Sequence, residues 1–136
     1  MKIEFIASVA LITADTPGSR ELFVDALGLP LDGAGDYIYT DQIEGSKHFG
    51  LWPLREAAQA CFGTDDWPAG KTIPQVSVEF EVASPEAVRE AAAELEASGY
   101  EQLHPPREEP WGQSIARWLS GDGAILGISY VPSMHA

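Results

Sequence analysis

Two stretches of this chain carry the same punctuation roughly 70 residues apart, and a repeat of that kind limits the fold more than any single element does. In the first, an apolar and β-branched run from Ile3 to Ile12 turns at Asp15-Thr16-Pro17-Gly18 into a helical pattern that stops at Gly28. In the second, a run from Val76 to Val82 turns at Ser84-Pro85 into a helical pattern that stops at Gly99. Each turn offers an oxygen-bearing N-cap with proline in the first helical turn, and each helix ends on the residue that best tolerates a left-handed backbone. The chain reads as two copies of one plan.

The remaining elements follow from periodicity. Leu22, Phe23, Ala26 and Leu27 recur at helical spacing and predict one apolar face, as do Val88, Ala91, Ala92 and Leu95 in the second copy. Short strands are expected at Tyr37 to Thr40 and His48 to Trp52, with Glu44-Gly45-Ser46 as the turn between them. Further strands are expected at Gln113 to Leu119 and Ile125 to Val131, joined by Gly121-Asp122-Gly123. Residues 55–74 carry Gly63, Pro68, Gly70 and Pro74 and read as a linker, with one or two helical turns available between Leu54 and Cys61. The reading is one domain over residues 1–136: a first module over about 1–54, the linker, a second module over about 75–132 and a short tail at 133–136.

Alternation predicts what lines a cleft. In the strand from Gln75 to Val82, Val76, Val78, Phe80 and Val82 form the face that receives a helix, which leaves Gln75, Ser77, Glu79 and Glu81 on the other. The last strand turns Leu126, Ile128 and Tyr130 to the helix and Ile125, Gly127 and Ser129 to the cleft. Eight Lys and Arg against 21 Asp and Glu give a net charge of −13, which repels nucleic acid and anionic lipid and favours cationic or neutral partners. No apolar run approaches the roughly 20 residues that span a bilayer. A single Cys61 cannot form an internal disulfide, and the short apolar run before Ile12 reads as a strand rather than a leader, so a reducing, cytoplasmic setting is expected.

With these elements placed, the segment Ser19 to Leu29 and the sequence Trp111-Gly112-Gln113 leading to Asp122-Gly123 resemble the vicinal oxygen chelate superfamily, also called the glyoxalase, bleomycin-resistance and dioxygenase superfamily. The resemblance implies an α+β fold of two tandem βαβββ modules in a curved mixed sheet with a cleft, and an intertwined homodimer with grooves between subunits. It also implies where metal-dependent members would hold an ion: here those places fall on Ser8, Ser77 and Gly127. Two hydroxyls and a glycine make a poor ligand set for a divalent ion, so no metal and no cofactor is expected. The turn Ser120-Gly121-Asp122-Gly123 departs from the Asp-Pro-Asp-Gly common in the family. What remains is similar to the metal-free bleomycin-resistance branch, whose loop tryptophan Trp111 matches and whose groove positions fall by register on Tyr39 and Trp52.

The expected ligand-binding set is Tyr37, Tyr39, Trp52, Ser77, Glu79, Trp111 and Trp118, with no catalytic residue. Trp118 enters with Ser114 and Ala116 as a cleft-facing set by motif alignment, and Tyr37 shares a face with Tyr39. Flat aromatic rings stack on planar ligands, and the acidic residues favour one that carries an amine. Non-catalytic sequestration of a planar aromatic natural product or antibiotic is the leading expectation. The alternatives are an enzyme of the same superfamily, with Glu79 as general base or with ligands drawn from His48, His104 and His135, and a carrier of a biosynthetic intermediate. Ser8 and Ser77 lack the strained elbow of a catalytic serine, and Cys61 has no neighbouring base. Trp67 serves the linker as readily as a ligand, and Phe49 belongs to the core.

Overall fold

The computed structural model describes residues 1–135, so residue 136 of the expected tail lies outside the described residues. The strands are β1 (Phe5–Thr13), β2 (Ile38–Thr40), β3 (Phe49–Pro53), β4 (Val76–Glu81), β5 (Gln102–Glu108), β6 (Ser114–Leu119) and β7 (Ile125–Tyr130). The helices are α1 (Thr16–Arg20), which widens into a π-helical stretch over Glu21–Ala26, α2 (Leu54–Phe62) and α3 (Pro85–Ala97). All seven strands join one curved, mixed sheet in the order β2-β3-β1-β4-β7-β6-β5. Its centre is the antiparallel pair β1–β4, and each of these strands has a parallel outer neighbour, β3 and β7. Antiparallel β2 and β6 follow outward on the two sides. The arrangement repeats about the centre, as expected for an α+β fold of two tandem modules.

The repeat is unequal at its edges. The second module carries β5 outside β6, whereas among the described residues the first has only a single bridge, between Asp32 and Tyr39, outside β2. Sequence periodicity misses β5 because Pro105 and Pro106 lie inside it and cannot donate to a ladder. The structure takes up the two prolines with two register shifts between β5 and β6.

Two helix-side cores hold the sheet. In the second module Val88, Ala91 and Ala92 of α3 are buried on Val82, Ala116, Trp118 and Ile128, with Phe80, Leu95, Leu126 and Tyr130 around them. In the first, Leu31, Ile38 and Leu51 pack with Leu11, Phe23, Val24 and Phe49. Here one expectation fails: Leu22, Ala26 and Leu27 are exposed, and Val24 joins Phe23 in the core instead. The π-helical turn has wider spacing than 3.6 residues, so it rotates the apolar stripe away from the positions that α-helical periodicity selects. The stops at Gly28 and Gly99 both adopt positive φ, at 71° and 91°.

The expected linker is a structural element. Its helix α2 lies over one end of the sheet face opposite α1 and α3, where Ala57 and Cys61 pack on Ile125 with Ile12, Trp52, Phe62, Trp67 and Leu119. Trp67 meets Phe62 edge-on at 4.9 Å and donates its indole N–H to the Thr72 carbonyl at 3.0 Å, which ties the segment to itself. The face that α2 partly covers is the inner face. It is built by the two halves of one chain.

Candidate functional site on the inner face

One continuous cross-strand row crosses the sheet. Ser8 on β1 lies opposite Glu79 on β4, Glu79 opposite Gly127 on β7, Gly127 opposite Arg117 on β6, and Arg117 opposite His104 on β5. Directly opposed residues on neighbouring strands share a face and interact, so this row brings a carboxylate, a guanidinium and an imidazole together from distant parts of the chain. A second row sets Tyr39, Gly50, Ala10, Ser77 and Ile125 side by side.

Glycine at 127 is what lets the first row close. A Cβ there would lie 3.0 Å from Glu79 Cγ and 3.2 Å from Ile115 Cδ1, so Glu79 and Ile115 fill the space that a side chain would need. The same observation tests the metal that the fold family implies. Ser8 and Ser77 are buried neutral hydroxyls, and a side chain at the third position would crowd Glu79, which already fills that space. Among the described residues, no group of three or more His, Cys, Asp and Glu side chains is placed to hold a metal ion. The residues present do not fit such an ion.

Glu79 accepts a hydrogen bond from Gln113 Nε2 at 3.2 Å, and the same amide nitrogen donates to Ser129 Oγ at 2.8 Å. Gln113 Oε1 in turn accepts from Trp111 Nε1 at 3.0 Å, which ties the loop tryptophan to the carboxylate through one side chain. Burial pushes the Glu79 carboxyl above its ordinary range, against the opposing pull of Arg117 and the Gln113 hydrogen bond. Arg117 is 3% exposed, yet its nearest carboxylate oxygens are Glu109 at 3.6 Å and Glu79 at 3.9 Å, and its Nε has no partner. The guanidinium sits 5.4 Å from the Trp52 ring centroid, a cation–π contact that offsets part of its desolvation.

His104 is fixed as a neutral tautomer by its contacts. Its Nδ1 faces the Pro105 carbonyl at 2.8 Å, so it carries the proton, and its Nε2 accepts from Arg117 Nη1 at 3.2 Å. Burial, with Arg117 and Arg107 beside it, brings its pKa down to about 4. On the other side of Glu79, Tyr37 Oη lies 2.6 Å from His48 Nε2, and His48 Nδ1 lies 2.6 Å from Asp41 Oδ1. Tyr39 stacks on the His48 ring with centroids 4.9 Å apart. Burial and the negative charge of Glu79 raise the Tyr37 phenol well above its ordinary range.

The expected set therefore divides. Tyr37, Ser77 and Glu79 come to the inner face, and Tyr39 and Trp111 stand at opposite sides of it, 41% and 67% exposed. Trp52 lies beneath Arg117 rather than presenting a free ring. Trp118 is a correction: it is 2% exposed and belongs to the α3 core with Ala116. The register Arg117↔Gly127 sets the parity of β6 so that Ile115 and Arg117 face inward, the reverse of the alignment-based expectation. Sequence reasoning gave Arg117, Gln113 and Gly50 no site role. A charged residue inside the apolar run Ile115 to Leu119 was the available signal for Arg117. His135, expected in the tail, folds back and meets the buried Glu81 at 2.8 Å.

The sequence model described as the Glyoxalase/Bleomycin resistance protein/Dioxygenase superfamily matches residues 5–124. Among solved structures, a member of that superfamily from Vibrio splendidus 12B01 superposes with a TM-score of 0.58 at 17% identity, covering 91% of this chain and 97% of the other. A Streptomyces coelicolor methylmalonyl-CoA epimerase variant in complex with 2-nitronate-propionyl-CoA gives 0.59 at 16% identity, with 99% of each chain covered. The Mn(II)-bound glyoxalase from Novosphingobium aromaticivorans gives 0.63 at 18% identity, covering 95% of this chain and 39% of that longer one. At these identities the likeness is one of fold. No curated protein matches the chain.

Proposed function

Since the chain belongs to the glyoxalase/bleomycin resistance protein/dioxygenase superfamily, a fold whose relatives include a protein solved with an acyl-CoA ligand, we propose that it binds a small planar aromatic molecule on its inner face and holds it without turnover. The observation that carries this reading is the pair of exposed rings, Tyr39, stacked on His48, and Trp111, bonded to Gln113, on either side of a polar centre made by Glu79 and Gln113. Rings supply stacking area at low entropic cost, and a few placed polar groups fix orientation. A net charge of −13 attracts a cationic ligand, is indifferent to a neutral one and repels an anionic one. Tyr37 and Ser77 add polar contacts, while Trp52 acts through Arg117.

The biological use is sequestration of an antibiotic or similar natural product by mass action in the cytoplasm: bound drug is unavailable once protein exceeds ligand and Kd lies below the toxic concentration. The protein acts as a homodimer with one such face per chain. A titration of planar natural products followed by tryptophan fluorescence tests this, with saturation expected at one ligand per chain. Trp111→Ala should weaken binding about tenfold while Trp67→Ala leaves it unchanged. The reverse pattern moves the site to the α2 segment.

A second reading is favoured by one arrangement: the Glu79 carboxylate lies on the inner face 3.9 Å from the buried Arg117 guanidinium, where burial pushes it above its ordinary range. A desolvated carboxylate beside a guanidinium can take a proton from carbon next to a carbonyl. Ligand recovered chemically unchanged, with no solvent deuterium incorporated, supports retention; incorporated deuterium that disappears in Glu79→Gln supports turnover.

A further inference from the structure

Tyr37 reaches the inner face over a glycine. A Cβ on Gly50 would lie 2.5 Å from Tyr37 Oη, and the Gly50 backbone does not need a positive φ, so this residue provides space. The seat holds the hydroxyl against His48, which is held in turn by Asp41. A carboxylate accepts only, so His48 Nδ1 carries a proton, and the state of Nε2 decides which way the bond to Tyr37 runs. With a neutral imidazole, the Tyr37 O–H donates to Nε2, and the phenol offers the site only lone pairs. With an imidazolium, Nε2–H donates to Tyr37, and the phenolic proton is released toward the site.

From this geometry we propose that Asp41, His48 and Tyr37 form a proton relay that makes the inner face selective for a ligand with a neutral carbonyl oxygen, His48 taking up one solvent proton as that oxygen accepts from Tyr37. The proposal rests on the inner face being a ligand site and names the chemistry it selects. The balance is simple: one proton enters at His48 Nε2, and no covalent bond to the ligand forms. His48 keeps 20% of its side chain exposed, so solvent can supply that proton. Charged and aromatic groups face it from several elements. Asp41 follows β2, the Tyr37 and Tyr39 rings come from β2 and the segment before it, and Glu79 comes from β4. Glu56 of α2 adds negative charge around Tyr37. Of the neighbouring cations, Lys47 turns to the Phe5 ring and Arg117 meets Glu79 at 3.9 Å.

Coumarin and naphthalene test the relay as a pair, both being two fused rings but only the first carrying a carbonyl. The full-length protein should bind coumarin about tenfold more tightly than naphthalene at pH 5, the worth of one well-formed hydrogen bond, and the preference should fall below about twofold at pH 8.5. Calorimetry in phosphate and in Tris should reveal net proton uptake with coumarin and none with naphthalene. Tyr37→Phe, which keeps the ring but loses the hydroxyl, should abolish the preference, so that coumarin binds no more tightly than naphthalene to the same variant at either pH. Without any ligand, ¹⁵N NMR should find His48 protonated at Nδ1. Equal binding of both probes at every pH overturns the relay while the face stands as a ligand site, and saturable binding of neither overturns both.

Discussion

His104 and Arg117 form an unusual pair at the residue scale, a buried cation hydrogen-bonded to an imidazole that must stay neutral. The cost appears on acidification. In the native protein His104 titrates at about 4 rather than near 6.5. Between those values the unfolded chain binds more protons, so stability rises with pH across this window. The full contribution is present above pH 6.5 and is lost as pH falls through about 4, amounting to about 3 kcal/mol at most. Urea titrations at pH 7 and pH 4.5 should record this loss, and His104→Gln should flatten it. At this scale the sequence was legible where alternation alone decides, as for Ser77 and Glu79. Arg117 escaped because its facing depends on which residue of β7 it opposes, and pairing across strands is not written in either strand.

Elements set the limits of periodicity. The caps were legible because they are local: Asp15 accepts from the Gly18 N–H at 3.0 Å, and Ser84 accepts from the Ala87 N–H at 3.1 Å. Ser84→Ala should cost about 1 kcal/mol, measured as a lowered urea midpoint with unchanged slope. The same change to glycine should cost only a few tenths. The π-helical stretch after α1 was not legible, since a wider turn uses the same residue types as an α-helix and differs only in which of them reach the sheet. Strand β5 was hidden by its prolines, and α2 was read only as one or two turns because the residues it buries, Ala57, Ala58 and Cys61, are small and mark its apolar face weakly. Those small residues are what let it lie close against the inner face.

Across the whole molecule, the central β1–β4 pair makes the halves interdependent. Ser8 and Gly127 belong to different modules, yet both border Glu79. Damage to one core should therefore unfold both. Val88→Ala, at a fully buried position on the sheet-facing side of α3, should lower stability by about 2 kcal/mol, and fluorescence and far-UV circular dichroism should still report one coincident transition. Two separated transitions would mean that the modules fold independently.

The prolines of β5 have one more consequence. An open sheet exposes its outermost strands as templates on which another chain can build, and proline interrupts that row of donors. Pro105 and Pro106 deny the β5 border a continuous ladder, while the opposite border at β2 is three residues long and already touched by Asp32. Neither border invites runaway strand addition. In the proposed homodimer, contact would then fall to side chains on the faces of the fold, a surface that selection can tune without risking fibrils.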